Sequence, residues 1–334
     1  MKRSALRTLL RNLLAASLPL AACTTPAPAP VVDMAMAGAR PDMAQPLGPD
    51  MMSCPIGKMS NGGCDDTLYI DGGVPANPTV ADCVAACGDK TVIGCSTSED
   101  SCGTLLDCQR CSIGRRPETL AAVDEPAGDD AVGRFFAYAA HLEAASVEAF
   151  EILARELTAL GAPRSLVERA RRAAGDERRH ARVTAALARR FGAEPADVCT
   201  APAPLRDLER LALDNAVEGC VRETFGALVA AWQGRAAGDA AIRAAMARIA
   251  EDETRHAELA WDIAAWAEPR LTAEAAGRVT GAREAAAAAL VADCARPIAG
   301  RLVAVAGLPG GTEARFLAEQ FAAAVTAPGW RAAA

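Results

Sequence analysis

Residues 174–181 read AGDERRHA, and residues 250–257 read AEDETRHA, a near-copy that begins 76 positions later. Each copy contains Asp-Glu-x-x-His, and together they hold two of the three histidines in the chain. Glu and His at positions i and i+3 of a helix share a face, so each copy predicts a carboxylate and an imidazole side by side. One such pair is typical of a solvated charged face, whereas a repeated pair indicates a shared site.

The repeat extends upstream of both histidine segments. EAASVEAF at 143–150 aligns with EGCVRETF at 218–225, at an offset of 75 residues. In both, a Glu is followed by a second Glu five residues on and by a Phe seven residues on. The repeated unit is therefore Glu-x6-Phe on one helix followed by Asp-Glu-x-x-His on the next. Two copies of this whole unit favour a functional site formed by both copies over a chance similarity.

Asp, Pro and Gly residues at helix start and stop positions predict four long helices, at about 129–161, 163–192, 204–234 and 239–268. The first and second helices are joined by a short link, as are the third and fourth, while the link between the second and third is long. This pattern predicts an all-α four-helix bundle with one long crossover, at 129–268. Two further helices within a C-terminal extension, 269–334, are expected to pack against it.

One glutamate lies about 12–14 residues into each predicted helix, near its middle, where the helices of an antiparallel bundle meet. Buried carboxylates require a cation among them, and mixed oxygen and imidazole ligands suit iron or manganese. The predicted metal ligands are Glu143, Glu177, His180, Glu218, Glu253 and His256.

Three neighbouring side chains are not predicted to be metal ligands. Glu148 and Glu223 follow Glu143 and Glu218 by five residues, which places them about 140° away from the ligand face of a regular helix. They are expected at the surface, and the alternative for either is a place directly behind the ligands. His141 lies two residues before Glu143, about 200° around the helix, and is predicted not to be a ligand.

This ligand set resembles that of the ferritin-like di-iron carboxylate superfamily, in which two helices each supply a Glu and two supply Glu-x-x-His. The resemblance covers about 130–268. It is closest to ferritin-like domains of exported bacterial proteins and more distant to rubrerythrins and bacterioferritins, which have Tyr where this chain has Phe150 and Phe225. It implies two iron ions, with manganese as an alternative, bridged by Glu177 and Glu253.

The resemblance also implies roles for the two aspartates of the repeat. Asp176 and Asp252 match family residues that hold the histidine of the opposing helix in one tautomer. The alternative for each is an i,i+3 ion pair with Arg179 or Arg255.

The function implied by the resemblance is a di-iron oxidoreductase that reacts with dioxygen or peroxide. Radical-generating family members need a Tyr about four residues after the first His. This chain has Thr184 there, so a radical-generating function is not expected. Two alternatives remain: an iron- or manganese-binding or ferroxidase protein without an organic substrate, and a structural or binding module with a vestigial site. No side chain is assigned a catalytic role, and no organic cofactor is expected.

The N-terminus is predicted to be a lipoprotein signal peptide, residues 1–22. A basic start and a short apolar run end in LAAC, which resembles a bacterial lipobox with Cys23 as the lipidated residue. An ordinary signal peptide is the alternative. The Pro-, Ala- and Met-rich stretch 23–52 reads as a tether. We therefore expect a protein anchored by lipid in the bacterial cell envelope.

Residues 53–112 contain eight cysteines and few large apolar residues. In an exported chain this predicts a small module closed by up to four disulfides, although CQRC at 108–111 also has zinc-ligand spacing. The module is expected to bind an unknown protein partner.

Further along the chain, Cys220 is predicted to form a disulfide with Cys199 or Cys294. The formal net charge of -7 argues against a nucleic-acid partner.

Overall fold

The computed structural model describes residues 3–17, 128–200, 204–294 and 298–327, together with short pieces between 58 and 126. The predicted lipidation site Cys23 and the tether 23–52 lie outside the described residues. The short pieces are 58–60, 65–70, 86, 94–100, 103–109, 115–117, 120 and 126.

The cysteine-rich segment contributes a four-stranded antiparallel sheet with strand order β1-β2-β4-β3. In strand β3, Cys95 lies directly opposite Cys108 of β4. The disulfides predicted for this module fall on side chains outside the described part of the chain. The strands are β1 Lys58–Ser60, β2 Asp65–Ile70, β3 Gly94–Asp100 and β4 Gly103–Gln109.

The body of the molecule is helical from Ala131 onwards, as predicted. Its third long helix contains a wide π-helical segment, Asn215–Glu223, in which the sequence predicts a regular helix. A second, short π-helix is Leu302–Ala306. The α-helices are α1 Arg3–Ser17, α2 Ala131–Ala159, α3 Arg164–Arg190, α4 Leu208–Asp214, α5 Thr224–Ala236, α6 Ala240–Ala267, α7 Ala273–Cys294 and α8 Gly311–Thr326, and a 3-10 turn covers Glu268–Arg270.

The Asp and Gly residues that predict helix starts and stops in the sequence lie at the ends of these helices. Asp130 and Asp239 accept hydrogen bonds from main-chain N–H groups of the first turns of α2 and α6. Helices α2 and α3 are each followed by a glycine in the left-handed region, Gly161 with φ +69° and Gly192 with φ +78°. Glycine adopts this conformation without a steric penalty, which explains why both helices stop there.

Helix α2 packs along α3, and α5 packs along α6, so the long helices form two hairpins. The hairpins meet where α3 contacts α6. Ion pairs link both ends of that contact, Arg190 to Asp239 at 2.6 Å and Arg169 to Asp262. The middle of α3 therefore lies against the middle of α6, which is where both histidine segments are found.

Two apolar clusters lie at opposite ends of the helical body. One contains Leu153, Leu157 and Ile263. The other contains Phe136 and Ile242, from the opposite ends of α2 and α6. Burial of aliphatic and aromatic side chains at about 25 cal/mol per Å² stabilises the two ends. The region between them can therefore accommodate polar side chains.

Helix α1 lies against a third apolar cluster. Its buried side chains Leu6 and Leu10 belong to the same cluster as Phe225 and Phe321. Arg7 Nε lies 2.6 Å from Glu258 Oε1. Within the part of the chain that the structure describes, no helix is both long and apolar enough to cross a membrane.

The disulfide predicted for Cys220 is wrong. Cys199, Cys220 and Cys294 are all free thiols. Cys220 is fully buried, and its Sγ contacts the Ala260 carbonyl oxygen at 3.7 Å. Cys199 is exposed, so the two side chains lie in different environments. Burial raises the pKa of the Cys220 thiol to about 12, which keeps it protonated at neutral pH.

Candidate metal centre

Six acidic and imidazole side chains meet in the middle of the helical body. They come from α2, α3, the π-helix and α6, and each is at most 4% exposed. They form two groups in which the candidate ligand atoms all lie within 4.8 Å of one another. The first group is Glu143, Glu177, His180 and Glu253, and the second is Glu177, Glu223, Glu253 and His256.

Glu177 and Glu253 belong to both groups. Each is the Glu of a Glu-x-x-His segment, one on α3 and one on α6. The remaining members pair off: Glu143 with His180 in one group, and Glu223 with His256 in the other. The arrangement therefore offers two adjacent positions for a cation, with two carboxylates common to both.

Both imidazoles turn Nδ1 towards the carboxylates. Nδ1 of His180 lies 3.2 Å from Glu253 Oε1. Nδ1 of His256 lies 3.1 Å from Glu177 Oε1. The tautomer with its proton on Nε2 leaves a lone pair on Nδ1, which is the form in which imidazole binds a metal.

The outer nitrogen of each histidine contacts the aspartate of the opposite helix. Nε2 of His180 lies 3.0 Å from Asp252 Oδ2, and Nε2 of His256 lies 3.4 Å from Asp176 Oδ2. An aspartate that accepts the Nε2 proton holds the ring in the tautomer that presents Nδ1 inwards. The two contacts are reciprocal, as the repeat in the sequence requires.

The aspartates also form the arginine ion pairs that were their alternative. Asp176 pairs with Arg179 three residues on, and Asp252 pairs with Arg255. Each arginine also reaches the other aspartate, Arg179 at 3.3 Å and Arg255 at 3.6 Å. Each aspartate therefore contacts both a histidine and an arginine, so the two interpretations are compatible.

The carboxylates of the cluster are buried without enough hydrogen-bond donors. Both oxygens of Glu177, Glu223 and Glu253 have no hydrogen-bond partner within the described structure. The same is true of Nδ1 in His180 and His256. Buried polar atoms are almost always satisfied, because leaving one unpaired costs about 1–3 kcal/mol. These atoms all point into one space, and a cation would satisfy them together.

The charge of the cluster fits two divalent ions. Its four carboxylates carry a formal charge of -4 when ionised, and its two imidazoles are neutral when they act as ligands. Two divalent cations carry +4 and would neutralise it. With one divalent cation, the remaining charge of -2 would have to be neutralised by protons on two of the carboxylates.

Burial raises the pKa of two of the carboxyl groups well above its ordinary value. For Glu143, burial acts together with the neighbouring charge of Glu177. For Glu223, burial acts together with the charge of Glu253. Both effects favour the neutral acid, because like charges in a dry site repel one another. These two groups would each lose a proton when a cation binds.

Both histidines of the cluster, and Asp176 beside it, are drawn towards their charged forms. Burial alone would lower the pKa of His180, but contacts with Glu143 and other cluster carboxylates raise it. The pKa of His256 is also raised, against burial, by Glu253 and Asp176. Burial opposes the ionisation of Asp176, yet contacts with His256 and Arg179 lower its pKa to about 2.

Glu218 does not reach the cluster, and Glu223 occupies the place that the repeat assigns to Glu218. The prediction that Glu223 lies at the surface is wrong, since it is 1% exposed. Glu218 instead contacts Arg222 at 2.9 Å and Arg116 at 3.7 Å.

The π-helix explains this exchange. Its main-chain hydrogen bonds run between residues five apart, so the angles that a regular helix sets between Glu218, Glu223 and the ligand face do not hold across it. In the regular helix α2, Glu143 faces the cluster and Glu148 faces solvent. The spacing within each repeated segment is the same in both copies, but the backbone geometry is not.

The other side chains singled out in the sequence lie apart from the cluster. Glu148 is partly exposed and lies 3.5 Å from Arg155. His141 is buried, with Nδ1 3.2 Å from the Ala196 carbonyl oxygen, and is in neither group. The hydroxyl of Thr184 donates to the His180 carbonyl oxygen at 2.8 Å.

Sequence reasoning missed one buried residue close to the cluster. Arg115 precedes the helical body and is 2% exposed. Its guanidinium lies 5.8 Å from the ring centre of Phe150, and that ring lies 5.0 Å from the ring of His256. In the sequence, Arg115 is marked only by being one of two consecutive arginines after a glycine. That pattern does not indicate burial.

Comparison with known proteins adds no assignment: no family model, curated protein or solved structure matches the chain. The inference about function therefore rests on the buried cluster itself.

Proposed function

We propose that this protein is a ferritin-like four-helix di-metal carboxylate protein whose centre reacts with dioxygen or peroxide. The observation that carries the proposal is the pair of ligand groups that share Glu177 and Glu253. Two carboxylates common to two adjacent cation positions would hold the ions close together. The order of the two hairpins and the long link between α3 and α4 support the ferritin-like topology.

Iron is the ion that the ligand set favours, with manganese as the alternative. Four carboxylates and two imidazoles offer more oxygen than nitrogen and no sulfur, which suits these ions better than copper or structural zinc. A pair of redox-active ions supplies the electrons that an O–O bond accepts. The protein would supply the ligands, the fixed histidine tautomers and the dry surroundings.

The burial of the cluster favours small reactants. All six side chains are enclosed, so dioxygen, peroxide or a further metal ion fits the site better than a bulky organic substrate does. Glu143 and Glu223 hold protons more tightly than ordinary glutamates do. Their carboxyl groups can therefore release protons as cations bind and take them up as cations leave.

The test is metal content followed by reactivity. We expect the full chain, loaded anaerobically with Fe(II) at neutral pH, to retain about two ions per chain after desalting, because the cluster offers two adjacent ligand groups. Exposure to peroxide should then oxidise the bound iron faster than iron free in buffer. Retention of one ion or none would contradict the di-metal assignment.

The same experiment separates the second candidate function, iron storage or ferroxidase activity without an organic substrate. The enclosure of the cluster favours this candidate as well. Oxidised iron that stays in the centre and is reduced again by an added donor supports a redox enzyme. Iron that leaves the centre and makes room for further Fe(II) supports a ferroxidase.

We also propose that the protein is tethered by lipid in the bacterial envelope, on the strength of LAAC at 20–23. Cleavage before Cys23 would remove α1, which covers part of an apolar cluster. We therefore expect mass spectrometry of the protein from envelopes to find diacylglycerol on Cys23 and no residues 1–22. Recovery of a chain that still begins at the N-terminal Met would show that α1 is a permanent part of the fold.

A further inference from the structure

Two consecutive arginines, Arg115 and Arg116, reach the third long helix where it changes from α to π geometry. Arg115 Nη1 donates to Asp214 Oδ2 at 2.6 Å, and Nη2 donates to Asn215 Oδ1 at 2.8 Å. These are the last residue of α4 and the first of the π-helix. Ser146 of α2 donates its hydroxyl to the Arg115 carbonyl oxygen at 2.7 Å. Arg115 therefore ties the start of the wide segment to α2.

The wide segment closes around the guanidinium. A Cβ atom at Gly219 would lie 2.6 Å from Arg115 Nη2 and 2.6 Å from the Ala260 Cβ. Glycine is therefore required at this position, between the arginine and α6. The Asn215 amide donates to the Ala260 carbonyl oxygen at 2.9 Å, which holds the wide turn against α6.

Arg116 acts on the glutamate that the cluster leaves out. Its guanidinium lies 3.7 Å from Glu218 Oε1. Its side chain is 9% exposed and that of Glu218 is 13% exposed, so solvent screens the pair weakly. The second partner of Glu218, Arg222, belongs to its own helix and would follow it in any rotation. Arg116 therefore holds Glu218 from outside the helix.

We propose that Arg115 and Arg116 are positioning residues that select Glu223, and not Glu218, as the fourth carboxylate of the cluster. The inference rests on the proposed function. Arg115 holds the wide turn that brings Glu223 inwards, and Arg116 holds Glu218 away. Both arginines lie directly after the cysteine-rich segment, so the selection depends on how the chain enters the helical body.

The test asks which glutamate the metal content depends on, with anaerobic Fe(II) as the probe and the full chain throughout. Glu223→Gln alone should retain about one ion, since one ligand group stays complete. Arg115→Gln/Arg116→Gln/Glu223→Gln should return to about two, because Glu218 then keeps only Arg222, a partner on its own helix, and can turn inwards. Adding Glu218→Gln to that variant should reduce the content again.

A matched control keeps a positively charged side chain at position 116. Arg116→Lys/Glu223→Gln should stay at about one ion, because Lys still pairs with Glu218. Circular dichroism reports whether each variant folds. If loss of the buried Arg115 prevents folding, Arg116→Gln/Arg222→Gln/Glu223→Gln releases Glu218 without touching Arg115 and should also regain the second ion.

Each outcome decides the inference. A folded triple variant that stays at one ion overturns the selection by arginine. Retention of two ions by Glu223→Gln alone also overturns it, while leaving the di-metal proposal intact. Absence of bound iron in the unchanged chain overturns both. Only recovery of the second ion, followed by its loss when Glu218 is also changed, supports the inference, and a merely structural role for the arginines would not produce it.

Discussion

Replacing either Glu177 or Glu253 by Ala should abolish binding of both metal ions. Each glutamate belongs to both ligand groups, so its loss leaves neither position with a full set of ligands. It also removes one of the negative charges that make the site attractive to cations. We expect anaerobic Fe(II) loading to fall from about two ions per chain to nearly none in both variants.

The matched control is Glu148→Ala. Glu148 is a repeated glutamate too, but it is partly exposed and lies beside Arg155. Its replacement should leave the metal content unchanged. Glu218→Ala should also leave it unchanged, because Glu218 pairs with Arg116 and Arg222 outside the cluster. Loss of iron in the Glu148 variant, with retention in the Glu177 and Glu253 variants, would show that the ligand faces are assigned wrongly.

Glu223→Gln should have opposite effects on stability with and without metal. In the metal-free protein, burial and the charge of Glu253 raise the pKa of Glu223 well above its ordinary value. The unfolded chain ionises this group above about pH 4.3, whereas the folded protein resists ionisation. Each unit by which the pKa is raised costs about 1.4 kcal/mol of stability once the pH exceeds the folded value.

The sign of the effect follows from this penalty. Glutamine is neutral at every pH, so at pH 7.5 in EDTA the variant should unfold at a higher temperature than the wild type. The advantage should shrink as the pH falls towards 5, because the folded wild type then carries its proton at little cost.

Saturating Mn(II) should reverse the order. The wild type would gain from two ions and the variant from one, and each ion adds about 2.7 kcal/mol at a concentration one hundred times its Kd. Thermal unfolding in EDTA and in Mn(II) measures both effects, with Glu148→Gln as the unaffected control. A variant that is less stable than the wild type in EDTA at pH 7.5 would show that Glu223 is not held among like charges.

Local sequence signals were sufficient for most of the helical body. Asp130 and Asp239 cap helix starts, and Gly161 and Gly192 follow helix ends, because these residue types fit those backbone positions better than others do. The Glu-x-x-His spacing placed each carboxylate and imidazole on one helical face. These features depend on neighbours a few residues away, and so they can be read from the chain alone.

The repeat also indicated that the two histidine segments would meet. Residues at the middles of helices of similar length come together when the hairpins are antiparallel, and Glu177, His180, Glu253 and His256 do so. The contacts of Asp176 and Asp252 with the opposite histidines were implied by the family resemblance, and the structure places those atoms side by side.

The choice between Glu218 and Glu223 was decided by tertiary structure. Sequence reasoning assumed the regular periodicity of 3.6 residues per turn along the whole third helix. A wide segment replaces the regular helix there, and it contacts Arg115 and Ala260, which are both distant in sequence. Cys220 is a similar case, because its fully packed position against α6 depends on that same segment. The residues of the chain therefore determined the helices and most of the candidate ligands, whereas the wide segment, which packs against distant parts of the chain, accompanies the last one.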